Sequence, residues 1–284
     1  MVVSSFAKIK TSEKIFVVIK YLFLGLCVCV ALFPILWVIV SSFKTNAEIL
    51  SSGISLPSHF SFAGYTQALK ISPILRYFFN SIVISSCATV LNALLLAMAA
   101  YVFARFHFRG KDLLYFVLSL SIVIPMTALL HPVYMVINAV GLANTKTGLA
   151  LMYAALHLPV SLLILRSTFQ AIPASLEEAA IVDGAGFVRT FFQIMLPVAK
   201  SGLTSAAVLT FLNSWNEFTF ALILTSSQSV RTLPLSLSYF VSQFSFNYTA
   251  LFAAITLAVI PSIAVFAMFQ EQVVSSLMAG AVKG

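Results

Sequence analysis

The stretch QAIPASLEEAAIVDGAGFVRTFFQIMLPVAKSG, Gln170 to Gly202, is the reading on which the fold turns. Almost everything around it is apolar enough to live in lipid. This segment instead carries Glu177, Glu178, Asp183, Arg189 and Lys200, five charges in a chain with only 16 Lys and Arg and 8 Asp and Glu. It also carries helix punctuation. Pro173 comes first, Ser175 is a candidate N-cap, and Glu178 three residues on completes an S-x-x-E capping box, which satisfies orphan N–H groups reciprocally. A short helix from Leu176 is expected to stop near Gly184 or Gly186, where glycine takes a left-handed cap without strain. A second short helix, Phe187 to Leu196, sets Phe187, Phe191, Phe192 and Met195 near one face and ends before Pro197. A water-facing pair of short helices between two membrane spans, showing apolar residues, is a docking surface.

The composition bounds the rest. The chain has 284 residues, is 61% hydrophobic and 8% charged, with a mean hydropathy of +1.04. Soluble domains carry charge on roughly a quarter of their residues, so this is an integral, all-α membrane protein. The net charge of +8 does not mean nucleic acid, because the basic residues are spread through short loops and not gathered on one face. Cys27, Cys29 and Cys87 fall inside apolar runs and read as small buried hydrophobes, with neither metal-ligand spacing nor a disulfide framework. Leu26 is not the small residue that a lipoprotein signal needs before its cysteine. The apolar run also continues to Val40, too long for a cleaved signal, and is read as a retained first span.

Six spans are expected, at about 15–41, 81–103, 113–137, 147–165, 203–224 and 248–269, with prolines in four of them. The long connection 42–78 is read as a loop with at most a short surface helix. Residues 1–14 form one terminus, 15–269 the membrane domain with its 170–202 loop, and 270–284 the tail. Six spans put both termini on one side. The side holding the termini, the 105–112 turn and the 170–202 loop carries eleven of the Lys and Arg residues, against five (Lys44, Lys70, Arg76, Lys146, Arg231) on the other. Excess Lys and Arg stay cytoplasmic, so termini and loop are expected to face the cytoplasm.

At this point the motifs resemble a known family. Glu178-Ala179-Ala180, three residues, Gly184, nine residues, then Ile194-x-Leu196-Pro197 is similar at every fixed position to the E-A-A-x3-G-x9-I-x-L-P signature of ABC-importer permeases. Phe103-Ala-Arg-Phe106, Gly141-Leu-Ala-Asn-Thr145, Ser214-Trp-Asn-Glu-Phe218, Thr232-Leu-Pro234 and the terminal Ala279-Gly-Ala-Val-Lys-Gly284 resemble the carbohydrate branch of that family, the maltose and multiple-sugar type. Ser201 stands where the family often has proline, and His131 where an aliphatic or polar residue is expected. The resemblance implies a type I, MetI-like permease: the binding-protein-dependent inner-membrane subunit of a sugar importer. The implied partners are a second homologous permease, a cytoplasmic ATP-binding-cassette ATPase dimer, an extracytoplasmic sugar-binding protein and the membrane lipid around the chain. The coupling residues it implies are Glu177, Glu178, Ala179, Ala180, Asp183, Gly184, Ile194, Leu196 and Pro197.

The physics of those residues is compatible with that role. Glu177 and Glu178 sit near a helix N-terminus, where the macrodipole favours negative charge, and are read as free to meet an arginine of a partner. Ala179 and Ala180 allow close approach, and Gly184 supplies the turn. The chain has no G-x-x-x-x-G-K-[ST], so the energy must come from another polypeptide; no catalytic residue, cofactor or metal is expected here.

Glu217 is the acid set deepest in a span, about 21 Å along the fifth helix at ~1.5 Å per residue. Intramembrane acids point to function because burying their charge in lipid is expensive. With Asn213, Trp215 and Asn216 it forms a candidate polar lining for a sugar path, while a hydrogen-bond cluster between helices is the competing reading. Asn80, Asn92, Tyr134, Asn138, Tyr153 and His157 read first as interhelical contacts. An ion-coupled carrier would need several intramembrane ionisable groups, and one acid with His131 and His157 is a thin relay. Asp183-Gly184 also begins a lipid-headgroup transferase pattern, but the further Gly and Asp residues of such a metal site are missing.

Overall fold

The computed structural model describes residues 11–240 and 247–281, and every regular element among them is a helix. Lys8, Lys10, Lys283, the end of the 225–246 loop and the last residues of the tail lie outside the described residues. The order is α1 Thr11–Ser41, α2 Asn46–Ser51, α3 Ala63–Ile71, α4 Ile74–Arg105, α5 Lys111–Leu120, α6 Leu130–Ala139, α7 Lys146–Leu156, α8 Leu158–Ala171, α9 Ser175–Val182, α10 Phe187–Thr190, α11 Leu196–Val198, α12 Lys200–Asn216, α13 Thr219–Leu224, α14 Leu233–Ser236 and α15 Tyr248–Ala281. Among the described residues three helices are long and apolar enough to cross a membrane, and counting each of three bent pairs as one span gives up to six.

Helix α4 is the axis of the bundle and packs against α7, α8 and α12. Its buried stripe is Tyr77, Asn80, Ser81, Ile84, Ser85, Ala88 and Asn92, the i, i+3, i+4, i+7 spacing of one helix face. Leu75, Phe79, Val83, Val90, Leu94 and Leu95 of the same helix are exposed. Polar and small residues turned inward with large apolar ones turned outward is the arrangement a lipid solvent selects. The three cysteines, expected to be buried, are exposed. Lipid is as apolar as a core, so a small thiol loses nothing by facing it.

The spans depart from the expected ranges where proline or a polar residue interrupts the ladder. Helix α4 begins directly after Pro73, seven positions before the expected start, and takes in Arg76. The connection before it holds two helices, α2 and α3. The third span is not one helix: Lys111–Val123 and Met126–Ala139 meet at 105°. Pro125 has no N–H to donate, and it holds Ile124 extended (ψ 121°). The fourth bends by 51° at His157, one residue before the pair Leu158-Pro159 opens α8. The fifth begins in the 170–202 loop itself, bends by 76° at Ala199 and stops at Asn216. Helices α1 and α15 keep their prolines, Pro34 and Pro261, inside a continuous helix.

Helices α8 and α12 approach so closely that a Cβ on Gly202 would lie 2.1 Å from Thr168 Oγ1. No side chain fits there, which is why the start of α12 carries glycine at that position.

A candidate coupling surface and a candidate solute path

The 170–202 loop is built differently at its start than its sequence suggests. Ala174 already has helical dihedrals (φ −63°, ψ −27°), its carbonyl accepts from the N–H groups of Glu177 and Glu178, and Ser175 is the first residue of α9. No side-chain cap forms. Pro173 presets the helical turn one position early, which moves Ser175 from the cap into the helix and leaves the S-x-x-E box unmade.

The other end of α9 follows expectation. Gly184 is left-handed (φ +78°), its N–H bonds to Ile181 O at 3.0 Å, and the Ala185 N–H reaches Ala180 O at 2.9 Å. Those two bonds are a Schellman closure. Nothing lies within 4 Å of a Cβ built on Gly184, so backbone sign and not space requires the glycine.

Beyond it the expected single helix is three pieces. Helix α10 gives way to a π-turn over Phe191–Met195, in which the Leu196 N–H bonds back to Phe191 O, and α11 follows. Pro197 does not end the run. It occupies the first turn of α11, where its missing N–H costs nothing, and the helix stops at Ala199.

Two glutamates side by side meet different fates. Glu177 is not free: its Oε2 lies 2.9 Å from Arg105 Nε at the end of α4, an ion pair without an aligned hydrogen bond. Arg105 donates through its other arm to Ile172 O at 2.5 Å, so one guanidinium ties α4 to both sides of Pro173. Arg105 is therefore a brace for the loop. Glu178, Ala179, Asp183 and Gly184 are exposed, with Ile181 and Val182 beside them, while Ala180 is buried. Ile194 and Leu196 are half-buried and Pro197 exposed.

The aromatic residues also divide. Phe191 and Met195 are buried in a cluster with Tyr101, Phe169 and Leu165, and Phe191 sits 5.2 Å from the Tyr101 ring. Phe187 packs tilted on Tyr101 and edge-on to Phe106 but stays half exposed, and Phe192 is exposed. The surface left open is thus a carboxylate pair set among Ile181, Val182, Val188 and Phe192.

Near the middle of the bundle a cavity of ≈ 580 Å³ is lined by His157, Asn213, Asn216, Glu217, Phe218 and Thr219, among others. Three of the four sequence-predicted path residues meet there. Trp215 does not: it is 1% exposed, donates Nε1–H to Ala258 O at 3.0 Å and stacks on Phe211. On a helix, neighbours in sequence face about 100° apart, so Trp215 and Asn216 could not share one lining.

Glu217 does not lie within a helix. It is extended (φ −70°, ψ 125°) in the gap between α12 and α13. Its Oε1 accepts from Phe220 N at 2.7 Å; its Oε2 accepts from Ala221 N at 3.0 Å and from the Tyr153 hydroxyl at 2.9 Å. The carboxylate caps a half-helix whose first N–H groups have no helical partners. His157, read from sequence as a contact between helices, instead lines the cavity. It is 6% exposed, and its Nε2 has no hydrogen-bond partner among the described residues. A histidine two positions before a proline, at the bend of a span, was the signal for it. Asn92 is a true interhelical contact, donating to Ala154 O at 2.8 Å and accepting from Thr210. Asn80 holds the 225–240 segment through Ser229 O and Arg231 O.

Residues 90–278 match the family model described as "Binding-protein-dependent transport system inner membrane component". The diacetylchitobiose uptake system permease protein NgcG of Streptomyces coelicolor is 38% identical over 95% of this chain and 90% of its own length. The sulfoquinovosyl glycerol transport system permease protein SmoH of Agrobacterium fabrum is 36% identical, covering 89% of each. The trehalose/maltose transport system permease protein MalG of Thermococcus litoralis is 35% identical over 90% of this chain and 92% of its own. The fold superposes with a TM-score of 0.81 on a chain of a bacterial ABC transporter involved in the import of the acidic polysaccharide alginate, at 22% identity, covering 92% of this chain and 98% of that one.

Proposed function

This chain belongs to the family of binding-protein-dependent transport inner-membrane components, multi-pass and non-catalytic, and from that premise we propose that it is one of two permeases of an ATP-driven sugar importer. The relatives above are named for uptake of chitobiose, sulfoquinovosyl glycerol and trehalose or maltose; a carbohydrate is the solute proposed here. A second permease completes the pore, a cytoplasmic ATPase pair supplies the energy, and an extracytoplasmic binding protein delivers the sugar. The termini and the 170–202 loop face the cytoplasm, as the excess of basic residues beside them favours.

Coupling runs through the loop. The observation that carries this reading is the division of labour between adjacent glutamates: Glu177 fastens α9 to α4 through Arg105, while Glu178 and Asp183 stand open beside exposed Ile181 and Val182. A moving ATPase that grips the open side pulls directly on two spans: α4 through the Arg105 brace, and α12 through the 76° bend at Ala199. Helix α12 ends with Asn213 and Asn216 on the cavity, and Glu217 follows it there. A rocking motion of that helix therefore changes the width of the path, which is the mechanical requirement for alternating access. Asn213 and Asn216 offer amides suited to sugar hydroxyls.

The test is substrate-stimulated ATP hydrolysis by the assembled transporter. Glu178→Lys, which reverses an exposed charge, is expected to abolish stimulation while the chain still inserts and assembles. Wild-type stimulation and transport in that variant would overturn the coupling assignment.

A further inference from the structure

At the end of the bundle opposite the 170–202 loop lies a charge without a counter-charge. Lys44 follows α1 and is 1% exposed. Its Nζ has one protein acceptor among the described residues, Gly53 O, at 3.4 Å. No carboxylate pairs with it there. Glu48 is the acid nearest in sequence, and its two oxygens are taken by Thr45 and Ser58. The other seven acids of the chain, Glu13, Asp112, Glu177, Glu178, Asp183, Glu217 and Glu271, belong to other parts of it. Residues 1–10, 241–246 and 282–284 contain neither Asp nor Glu. A buried ammonium is costly unless it is paired, and no carboxylate of the described residues pairs with Lys44.

The surroundings say what kind of partner. Lys44 stands in the wall of a polar cavity of ≈ 380 Å³ together with Asn46, Ser61, Gln67, Asn247 and Thr249. Thr249 Oγ1 is buried and has no hydrogen-bond partner among the described residues, a second group awaiting one. Amides, a hydroxyl and an ammonium around one space suit a phosphate oxygen array. The position suits a lipid. Trp37, whose Nε1 donates to Gly53 O at 2.6 Å, and Tyr248 are aromatic side chains of the kind enriched at headgroup level. Along the same 44–62 segment Leu50, Ile54, Leu56 and Phe60 are exposed, an apolar set suited to acyl-chain boundaries and not to bulk water.

We propose that this cavity is a binding site for the phosphate of an anionic phospholipid in the leaflet opposite the coupling loop, with Lys44 as its counter-ion and Thr249 as a hydroxyl donor. The bound headgroup would tie α1, the 44–62 segment and the start of α15 together, fixing the mouth of the bundle to the membrane surface.

The experiment uses the assembled transporter, delipidated in detergent and re-exposed to phosphatidylglycerol or phosphatidylcholine. Retained lipid is counted by mass spectrometry. Phosphatidylglycerol is expected to be retained in preference. Lys44→Gln should lower that retention at least about fivefold, the factor equivalent to the ~1 kcal/mol of one lysine at an anionic headgroup. Lys44→Arg should keep the retention, and Thr249→Val should weaken it by less than Lys44→Gln does. Should Lys44→Gln fail to assemble, the last two variants and the lipid preference carry the comparison. Equal retention in wild type and Lys44→Gln, no preference over phosphatidylcholine, or no effect of Thr249→Val where Lys44→Gln is unavailable would each overturn the site. Displacement of the lipid by millimolar inorganic phosphate would overturn the lipid assignment in favour of a free anion.

Discussion

Arg105 at the last turn of α4 and Glu177 in the first turn of α9 are joined at 2.9 Å, with side chains 15% and 16% exposed. The pair is sheltered enough to escape most salt screening, and Arg105 holds the Ile172 carbonyl as well. Arg105→Gln is therefore expected to cost more than Glu177→Gln, about 2 kcal/mol against about 1, because only the arginine serves both partners. In a double-mutant cycle read by thermal melting, the coupling energy should be about 1 kcal/mol. Equal losses in the two single variants, with no coupling, would mean the brace is decorative.

Gly184 gives a cleaner separation of causes. Its φ of +78° is unfavourable for any residue with a Cβ, yet no atom stands within 4 Å of one. Gly184→Ala should cost about 1–2 kcal/mol of local stability purely through backbone sign. Gly184→Asn should cost less, because asparagine visits the left-handed region more readily. Hydrogen exchange of the Ala185 and Gly184 amides would read the order directly. Alanine and asparagine behaving alike would point to a contact instead.

How far the sequence reached can be judged residue by residue. The glycine stop of α9 was legible because a left-handed cap is a local decision made by one residue. The capping box was not, since Pro173 and Ser175 compete for the same turn and the proline ring wins by fixing φ. The membrane spans were legible as apolar runs, but not their breaks at Ile124, His157 and Glu217. A run of hydropathy carries no record of where a ladder is interrupted when neighbouring helices satisfy the freed groups. Glu177 and Glu178 look equivalent in sequence. Only the approach of α4 makes one of them internal, a tertiary fact with no local signal. Trp215 was grouped with Asn213 and Asn216 by nearness in sequence, which helix geometry then separates.

Glu217 carries a sharp expectation about solute handling. Its two oxygens already serve three donors, Phe220 N, Ala221 N and Tyr153 Oη. Glu217→Gln leaves a single acceptor oxygen and sets an amide N–H against a backbone N–H, at a cost of about 1–3 kcal/mol. Tyr153→Phe removes one donor and should cost about 1 kcal/mol. Both should lower the melting temperature of the assembled transporter while leaving the apparent affinity for sugar in vesicle uptake within about twofold. A large affinity change at unchanged stability would instead make Glu217 a solute ligand. Asn213→Ala, at an exposed position on the same cavity, is expected to show that second pattern.

Glu48 makes the 44–62 segment sensitive to acid. The Ser58 hydroxyl, together with the Thr45 and Ser58 backbone N–H groups, holds its carboxyl down at about 2, from an ordinary 4.5. A depressed folded-state value means the unfolded segment binds a proton more readily, so acidification favours unfolding. The contribution of Glu48 is fully present above about pH 4.5, declines below it, and is lost as pH falls through about 2. Trp37 reports on the segment, because its indole donates to Gly53 O. Its fluorescence should shift as the pH falls from 4.5 towards 2. In Glu48→Gln the neutral amide cannot titrate, so the shift over that window should vanish and the segment should be loosened at neutral pH. A variant that keeps the wild-type acid shift would show that the titrating group is not Glu48.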